Sequence, residues 1–223
     1  LNRATHRLSD TIAHELRTPL NRMMQKLARI DGQDNLADDL KSEMRAAIRV
    51  FDSLLDISRA EADQGTGGGL VPVDLSAVAA EVWDLYEPLA EDRGLSCALS
   101  VQPGLNVLGD RNLIAQMRAN LLDNAIKYCV AGDALTLPLQ EAGEWHLLTI
   151  ADTGPGLPAG MKDDAFERFV RAGRDIDRGI KGHGLGLALV RAIAARHGAK
   201  LSLPATEKGL TLEFIWPKLA PVA

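Results

Sequence analysis

The chain has 223 residues, of which 46% are hydrophobic and 25% are charged, and this composition excludes an intrinsically disordered chain. Lys and Arg number 25 against 30 Asp and Glu, and a net charge of −5 argues against a nucleic-acid partner, which requires a basic face. Two cysteines are too few for a disulfide framework or a four-cysteine zinc site, and no apolar run is long enough to cross a membrane.

The first 63 residues predict a helical hairpin. Apolar side chains recur every three or four positions in residues 8–27 and again in residues 36–58, with a polar break at residues 31–35. Two helices alone bury too little surface, so we expect a second copy of the chain to complete a four-helix bundle. Since the pattern begins directly at Leu1, we expect the chain to be a fragment of a longer protein.

Residues 65–69 consist of Gly and Thr and predict a flexible linker. After it, strand and helix patterns mix. The predicted strands are residues 71–74, 95–101, 105–108, 134–140, 145–151, 200–203 and 210–216, and the predicted helices are residues 75–92, 110–130 and 185–197. Helices and mostly antiparallel strands segregate, which indicates an α/β sandwich rather than a Rossmann fold.

Three details of this second region carry expectations of their own. Residues 141–144 predict the turn of a hairpin between two strands. Pro138 lies within one of those strands and predicts that the strand is at an edge of the sheet, because proline cannot donate to a ladder. Residues 154–182 form a long loop rich in glycine and charge, which indicates a lid.

His14 is the first candidate for chemistry. It lies two residues from both Ile12 and Leu16, so it is on the helix face opposite the apolar stripe. An exposed neutral imidazole is a good nucleophile near pH 7, and Glu15 is placed to hold one ring nitrogen. Pro19 lies inside the same helix and bends it. The alternative is an ordinary surface histidine beside a surface glutamate.

Polar residues share one face of the predicted helix 110–130. Asn120, Asn124 and Lys127 are spaced i, i+4 and i+7. Two amides and an ammonium could orient a hydrated magnesium ion and contact phosphate oxygens. The alternative is a solvent-facing polar stripe.

Two glycine-rich segments complete the candidates. Asp152 ends a predicted strand just before Gly154 and Gly156, where its carboxylate could accept a hydrogen bond from the exocyclic amine of a base. The alternative is a tight turn with a capping aspartate. Residues 182–187 open a predicted helix, whose free N–H groups form an anion site, although this signal is weak alone.

Taken in order, these segments resemble the catalytic core of bacterial two-component sensor histidine kinases. The resemblance covers nearly the whole chain. Its motifs are an H box at residues 14–20, an N box at 120–128, a first glycine box at 152–156, an F box at 166–171 and a second glycine box at 182–187. It implies an α+β protein with a dimerisation and histidine-phosphotransfer hairpin (residues 1–64), a linker (65–69) and a Bergerat (GHKL) type ATP-binding domain (70–219).

The resemblance also implies residue roles. His14 is the phosphoacceptor, Glu15 is its acid/base partner, and Thr18 orients water when the protein dephosphorylates its partner. Asp152 binds the adenine amine, and Asn124 ligates magnesium. The other residues implied in nucleotide binding are Asn120, Lys127, Tyr128, Gly154, Gly156, Arg171, Gly182, His183, Gly184, Leu185 and Gly186.

The activity implied by the resemblance is autophosphorylation of His14 from ATP–Mg²⁺, followed by transfer to an aspartate of a response-regulator receiver domain, with phosphatase activity as well. The resemblance implies a homodimer without a nucleic-acid partner. It also implies that the chain is the cytoplasmic portion of an inner-membrane receptor and meets the membrane only through a missing N-terminal region. His183 departs from the pattern, which commonly has a small residue there.

Two other functions remain open at this point. A hydrolytic ATPase of the same superfamily has a glutamate where this chain has Asn120, and an amide cannot take a proton from water at neutral pH. The second alternative is a catalytically inactive dimeric scaffold that relays conformation.

Overall fold

The computed structural model describes residues 21, 23, 25, 34–62, 68–158, 160–173, 180 and 182–219. The chain divides into two compact units, Leu1–Ala62 and Asp63–Ala223. Helix α1, Asp34–Ala62, belongs to the first unit, and it begins at Asp34 rather than at the predicted residue 36. An acidic residue in the first turn of a helix favours this earlier start. The predicted first helix lies outside the described residues, except that residues 21, 23 and 25 are helical.

The second unit contains all the strands and helices predicted after the linker, with ends shifted by one or two residues. In chain order they are β1 Val71–Asp74, α2 Leu75–Asp92, β2 Ser96–Val101, β3 Asn106–Gly109, α3 Arg111–Tyr128, β4 Ala134–Ala142, β5 Trp145–Asp152, α4 Gly186–Arg196, β6 Lys200–Ser202 and β7 Thr211–Pro217. The predicted α+β class, with a helical segment followed by an α/β domain, is confirmed.

A five-stranded sheet forms one layer of this unit. Its order is β2-β4-β5-β7-β6, with β2 and β4 parallel and the other pairs antiparallel, while β1 and β3 form a separate antiparallel pair. Helix α3 lies in the long connection that the parallel pair requires. It packs between α2 and α4, and alternate strand residues supply the apolar core: Leu135, Leu137, Leu139, Leu148, Ile150, Leu212, Phe214 and Trp216.

The N-terminus of α3 is held by two polar side chains. The Asp110 carboxylate accepts hydrogen bonds from the N–H groups of Asn112 (2.9 Å) and Leu113 (3.1 Å). The Asp110 N–H itself donates to Nε2 of the buried His197 at 2.9 Å. Nδ1 of His197 therefore carries the hydrogen and donates to the Ile193 carbonyl at 2.7 Å. Burial lowers the pKa of His197, which favours this neutral form.

The expectation that Pro138 marks an edge strand is wrong. Strand β4 lies between β2 and β5, and Pro138 is opposite Ser100 of β2. The β4–β5 register has paired residues at Thr136 and again at Leu139. The missing N–H of Pro138 therefore coincides with a gap in the antiparallel ladder, which lets a proline occupy an interior strand.

The hairpin turn is shorter than predicted. Ala142 and Trp145 are still paired, so the loop between β4 and β5 consists of Gly143 and Glu144. Gly143 has φ +60°, the left-handed conformation that a two-residue hairpin loop requires. The pairing next to the loop extends β4 to Ala142, two residues beyond its predicted end, while β5 begins at Trp145 as predicted.

Arg118 is a charge within the core that has no partner among the described residues. Its side chain is fully buried on α3, and its Nε, Nη1 and Nη2 atoms have no hydrogen-bond partner in that part of the chain. Burial lowers its pKa to about 9. A buried donor without a partner loses its hydrogen bonds to water and gains nothing in return, so this residue opposes folding.

We expect Arg118→Met to stabilise the protein by about 1–3 kcal/mol, because it removes the unpaired donors and keeps most of the apolar volume. Urea unfolding measures the change. The control is Arg93→Met, at an exposed arginine, with an expected effect within about 0.5 kcal/mol. A less stable Arg118→Met variant would contradict the interpretation that Arg118 opposes folding.

Candidate functional site

The two amides of the predicted polar stripe lie against the start of α4. A Cβ atom on Gly186, the first residue of α4, would be 3.4 Å from Nδ2 of Asn124 and 3.8 Å from Oδ1 of Asn120. The Asn120 amide also donates to the Gln116 carbonyl at 3.0 Å, one turn back along α3. The first residue of α4 thus lies directly beside both amides.

The N-terminus of α4 is not capped by a side chain. Its N-cap residue is the buried Leu185, whose side chain cannot accept a hydrogen bond from the first N–H groups of the helix. The first N–H groups of a helix have no partner within the helix, and they carry partial positive charge. This end of α4 therefore offers donors to an anion beside Asn120 and Asn124.

Lys127 adds a positive charge to the same region. A Cβ atom on Gly182 would lie 2.5 Å from Nζ of Lys127, so the ammonium is in close contact with the second glycine box. The ammonium also lies 5.2 Å from the centre of the Tyr128 ring. Amides, ammonium and helix N-terminus together form a surface suited to phosphate oxygens.

The F box is joined to the second glycine box by backbone contacts. Gly184 has φ +68°, and its carbonyl accepts a hydrogen bond from the Phe169 N–H at 2.8 Å. A Cβ atom on Gly184 would lie 2.6 Å from the Val170 carbonyl oxygen, so only glycine fits this approach. Phe169 is itself strained, with φ +66°, and its ring is exposed. His183 is also exposed.

Arg171, the predicted lid contact, makes a hydrogen bond within the same loop. Its Nη2 donates to the carbonyl of Ile180, while its Nε is buried and has no partner among the residues that the structure describes. In the described parts of the predicted loop 154–182 no strand forms, which agrees with a loop between β5 and α4.

Asp152 lies at the end of β5, and several donors hold its carboxylate. Its Oδ1 accepts from the N–H groups of Gly154 at 2.9 Å and Leu210 at 3.3 Å. The Cys129 thiol lies beside the same carboxylate, because a Cβ atom on Gly154 would be 2.7 Å from the sulfur and 3.1 Å from Oδ1 of Asp152, and the thiol acts on the pKa of Asp152 as a hydrogen-bond donor. Burial raises the pKa of Asp152, and these three hydrogen bonds act in the opposite direction.

Sequence reasoning missed Cys129, which is the buried C-cap residue of α3. A Cβ atom on Gly154 would lie 2.7 Å from its sulfur. Burial raises the pKa of the Cys129 thiol to about 12, and the nearby carboxylate of Asp152 acts in the same direction. Cys129 lies in an apolar segment 25 residues before Gly154, and no local pattern in the sequence indicates that the two are in contact.

The turn between β6 and β7 is a second feature that sequence reasoning missed. The Asp152 N–H donates to the Leu210 carbonyl at 2.9 Å. A Cβ atom on Gly209, where φ is +79°, would lie 1.7 Å from the Asp152 carbonyl oxygen. A Cβ atom on Gly156, where φ is +60°, would lie 2.4 Å from the Gly209 carbonyl oxygen. The turn therefore covers the first glycine box at van der Waals contact.

An ion pair holds this turn in place. Nζ of Lys208 lies 2.9 Å from Oδ1 of Asp133, which is buried and also accepts from the Thr153 hydroxyl at 3.3 Å. Oδ2 of Asp133 accepts from the Val130 N–H at 2.9 Å. These hydrogen bonds and the Lys208 ammonium keep the pKa of Asp133 below its ordinary value.

The structure thus brings together two sets of predicted residues. The first set is Asn120, Asn124, Lys127, Gly182 and Gly186, and the second is Asp152 and Gly154 with Cys129. His14, Glu15 and Thr18 lie outside the described residues. Within the described part of the chain, no group of three or more His, Cys, Asp and Glu residues could hold a metal ion. No helix there has the length and apolar character to cross a membrane.

Comparison with known proteins gives two matches along the chain. Residues 4–63 match the His Kinase A (phospho-acceptor) domain, and residues 109–221 match the histidine kinase-, DNA gyrase B- and HSP90-like ATPase. The chain belongs to the sensor histidine kinase family. The hydrolytic ATPase and the inactive scaffold are not favoured, because similar curated proteins are sensor kinases.

One such relative is the sensor protein SphS of Synechococcus elongatus, which is 33% identical over 86% of this chain and 49% of its own length. Another is the sensor histidine kinase CusS of Escherichia coli K12, which is 29% identical over 94% of this chain and 45% of its own length. Among solved structures, full-length ShkA in complex with AMPPNP covers 97% of this chain and 47% of its own, at 26% identity and a TM-score of 0.77. The chain spans about half the length of the curated relatives it matches.

Gly209→Ala tests the contact between the turn and the first glycine box. We expect a loss of about 1–2 kcal/mol from the left-handed backbone and a further ~1–3 kcal/mol from the clash with Asp152. Gly104→Ala is the matched control, because φ is +76° there and no atom lies within 4 Å of the new Cβ. Urea unfolding of both variants measures the difference. Equal losses would show that the close contact has no energetic consequence.

Proposed function

We propose that this chain is the catalytic core of a sensor histidine kinase that phosphorylates His14 from ATP–Mg²⁺. The phosphoryl group then passes to an aspartate of a response regulator. The observation that carries the proposal is the meeting of Asn124 with Gly186 and of Lys127 with Gly182. These contacts gather amides, an ammonium and a free helix N-terminus at one place, which is the chemistry that a triphosphate requires.

The base would bind just past the C-terminal end of α3, where Cys129 lies beside Asp152. Asp152 is half-buried at the end of β5, and a carboxylate accepts hydrogen bonds but cannot donate them when ionised. An adenine amine is a donor and suits this acceptor. The AMPPNP complex of ShkA, a structure similar to this chain, supports an adenine nucleotide as the ligand.

Magnesium fits the phosphate end of the site. This ion prefers oxygen ligands and usually keeps several waters while it binds phosphates, so one amide oxygen is a sufficient protein contribution. Asn124, beside the start of α4, is the residue that we propose as that ligand, with Asn120 next to it. The ion would neutralise the charge of the phosphates, and Lys127 would contact a phosphate oxygen.

The phosphoacceptor would be His14. One ring nitrogen attacks the γ-phosphorus of ATP, the bond from that phosphorus to the bridging oxygen breaks, and ADP leaves. Glu15 would hold the other ring nitrogen and accept its proton. A catalytic role of His14 requires that the two units meet during the reaction, for which the linker at residues 65–69 provides freedom.

The partners are part of the same proposal. We propose a homodimer formed through the helical hairpin, because two amphipathic helices alone bury too little apolar surface. The phosphoryl group would pass from His14 to the receiver domain of a response regulator. We also propose that the chain is the cytoplasmic part of a larger receptor.

His14→Ala should abolish autophosphorylation and leave nucleotide binding intact, because nucleophile and nucleotide site belong to different domains. Incubation with γ-labelled ATP, followed by acid and base treatment, reports the phosphoprotein. The wild-type label should be lost in acid and kept in base. Retained labelling of the variant at another residue would contradict the assignment of His14.

Asp152→Asn should weaken ATP binding by about 10- to 150-fold, because a charged acceptor at a desolvated site is lost. It should also reduce the preference for ATP over GTP, since an amide can donate to the guanine carbonyl. Calorimetry measures both affinities. Asp123→Asn, which changes an exposed carboxylate on α3, is the control. Equal affinities in the two variants would remove Asp152 from the site.

Thr18→Ala should lose most phosphatase activity toward the phosphorylated response regulator and keep kinase activity. Thr18 is one helical turn beyond His14, so its hydroxyl can orient a water in line with the phosphoryl group. Glu15→Ala should instead impair autophosphorylation. Both rates and the melting temperature are measured for each variant. A parallel fall of both activities with the melting temperature of Thr18→Ala would indicate a structural role.

A further inference from the structure

The carboxylate of Asp152 is oriented by donors from three separate segments. Gly154 follows β5 directly, Leu210 precedes β7, and Cys129 ends α3. Both backbone donors reach the same oxygen, Oδ1. Oδ2 accepts neither of these two hydrogen bonds, and in the proposed site it is the oxygen that would face the base.

Cys129 is the one side chain among these three donors. Its position is fixed on both sides, because its N–H donates to the Ala125 carbonyl at 2.9 Å and its sulfur lies against Gly154. The thiol stays protonated, since burial and the carboxylates of Asp152 and Asp133 all raise its pKa. A protonated thiol is a weak hydrogen-bond donor, and an ionised carboxylate can only accept, so the thiol acts on Asp152 as a donor.

We propose that Cys129 is a positioning residue for base recognition, holding the Asp152 carboxylate at the angle that favours an adenine amine over a guanine carbonyl. This inference rests on the proposed nucleotide site. Discrimination between the two bases depends on how directly the free carboxylate oxygen faces the base edge. A carboxylate that loses one of its fixed donors can rotate, and water can then satisfy it beside either base.

The experiment compares the full chain with three variants. Cys129→Ala removes the donor, Cys129→Ser keeps a hydroxyl donor of similar size, and Cys97→Ala changes the other cysteine, which lies on β2. Calorimetry gives the dissociation constants of AMPPNP and GMPPNP for each protein, and thermal unfolding gives the melting temperature. Cys129→Val removes the donor but keeps apolar volume, and it replaces Cys129→Ala should that variant fail to fold.

We expect Cys129→Ala to lower the selectivity for AMPPNP over GMPPNP by about 2- to 10-fold, the effect of one modest hydrogen bond. Cys129→Ser should keep selectivity within about 2-fold of wild type, and Cys97→Ala should leave it unchanged. An unchanged selectivity in Cys129→Ala, with only a lower melting temperature, would show a packing role and overturn the inference. A Cys129→Ser selectivity as low as that of Cys129→Ala would also overturn it.

The same measurements separate this inference from the proposed function. A wild-type chain that binds neither analogue contradicts the nucleotide site itself, and the role of Cys129 fails with it. A wild-type chain that binds AMPPNP, together with unaltered selectivity in Cys129→Ala, leaves the nucleotide site standing and rejects the role of Cys129 alone.

Discussion

Helix α3 meets glycine backbone at three points along its length, and the candidate site depends on these close contacts. Asn124 lies against Gly186, Lys127 against Gly182, and Cys129 against Gly154. At each point a Cβ atom on the glycine would lie between 2.5 and 3.4 Å from a side-chain atom of α3. The sulfur of Cys129 leaves no space for a side chain on Gly154. The Lys127 ammonium would have to move to admit a side chain on Gly182, and Asn124 lies at ordinary contact distance from Gly186.

This arrangement places two kinds of chemistry next to each other at the C-terminal part of α3. Amides and an ammonium face the start of α4 and the second glycine box, and the thiol of Cys129, two residues after Lys127, lies beside the carboxylate of Asp152. An α-helix is rigid over this length, so the positions of these groups relative to one another are nearly fixed. The start of the helix is anchored as well, because the neutral His197 accepts a hydrogen bond from the backbone of Asp110. A site built on such an element is preorganised on the side of α3.

Polar groups in this domain are held at an energetic cost. Burial disfavours the ionised form of Asp152, and the hydrogen bonds from Gly154, Leu210 and Cys129 counter that cost. Asp133 behind it has both an ion pair with Lys208 and a hydrogen bond from Val130, and its pKa is lowered instead. Arg118 has no such compensation among the described residues and opposes folding. The difference between a costly buried charge and a useful one is the number of donors or acceptors that face it.

The sequence by itself determined the order of elements in residues 70–219 and the motif residues of the site. Periodicity is a local signal, and the structure contains the predicted helices, with Asp74 and Asp110 as the N-caps of α2 and α3. The interior place of Pro138, the two-residue hairpin loop and the contact of Cys129 with Gly154 were decided by tertiary structure alone. Each of these depends on which strand or loop lies opposite. Pairing across the sheet and packing across the two layers join residues far apart in sequence, and no local pattern encodes such partners.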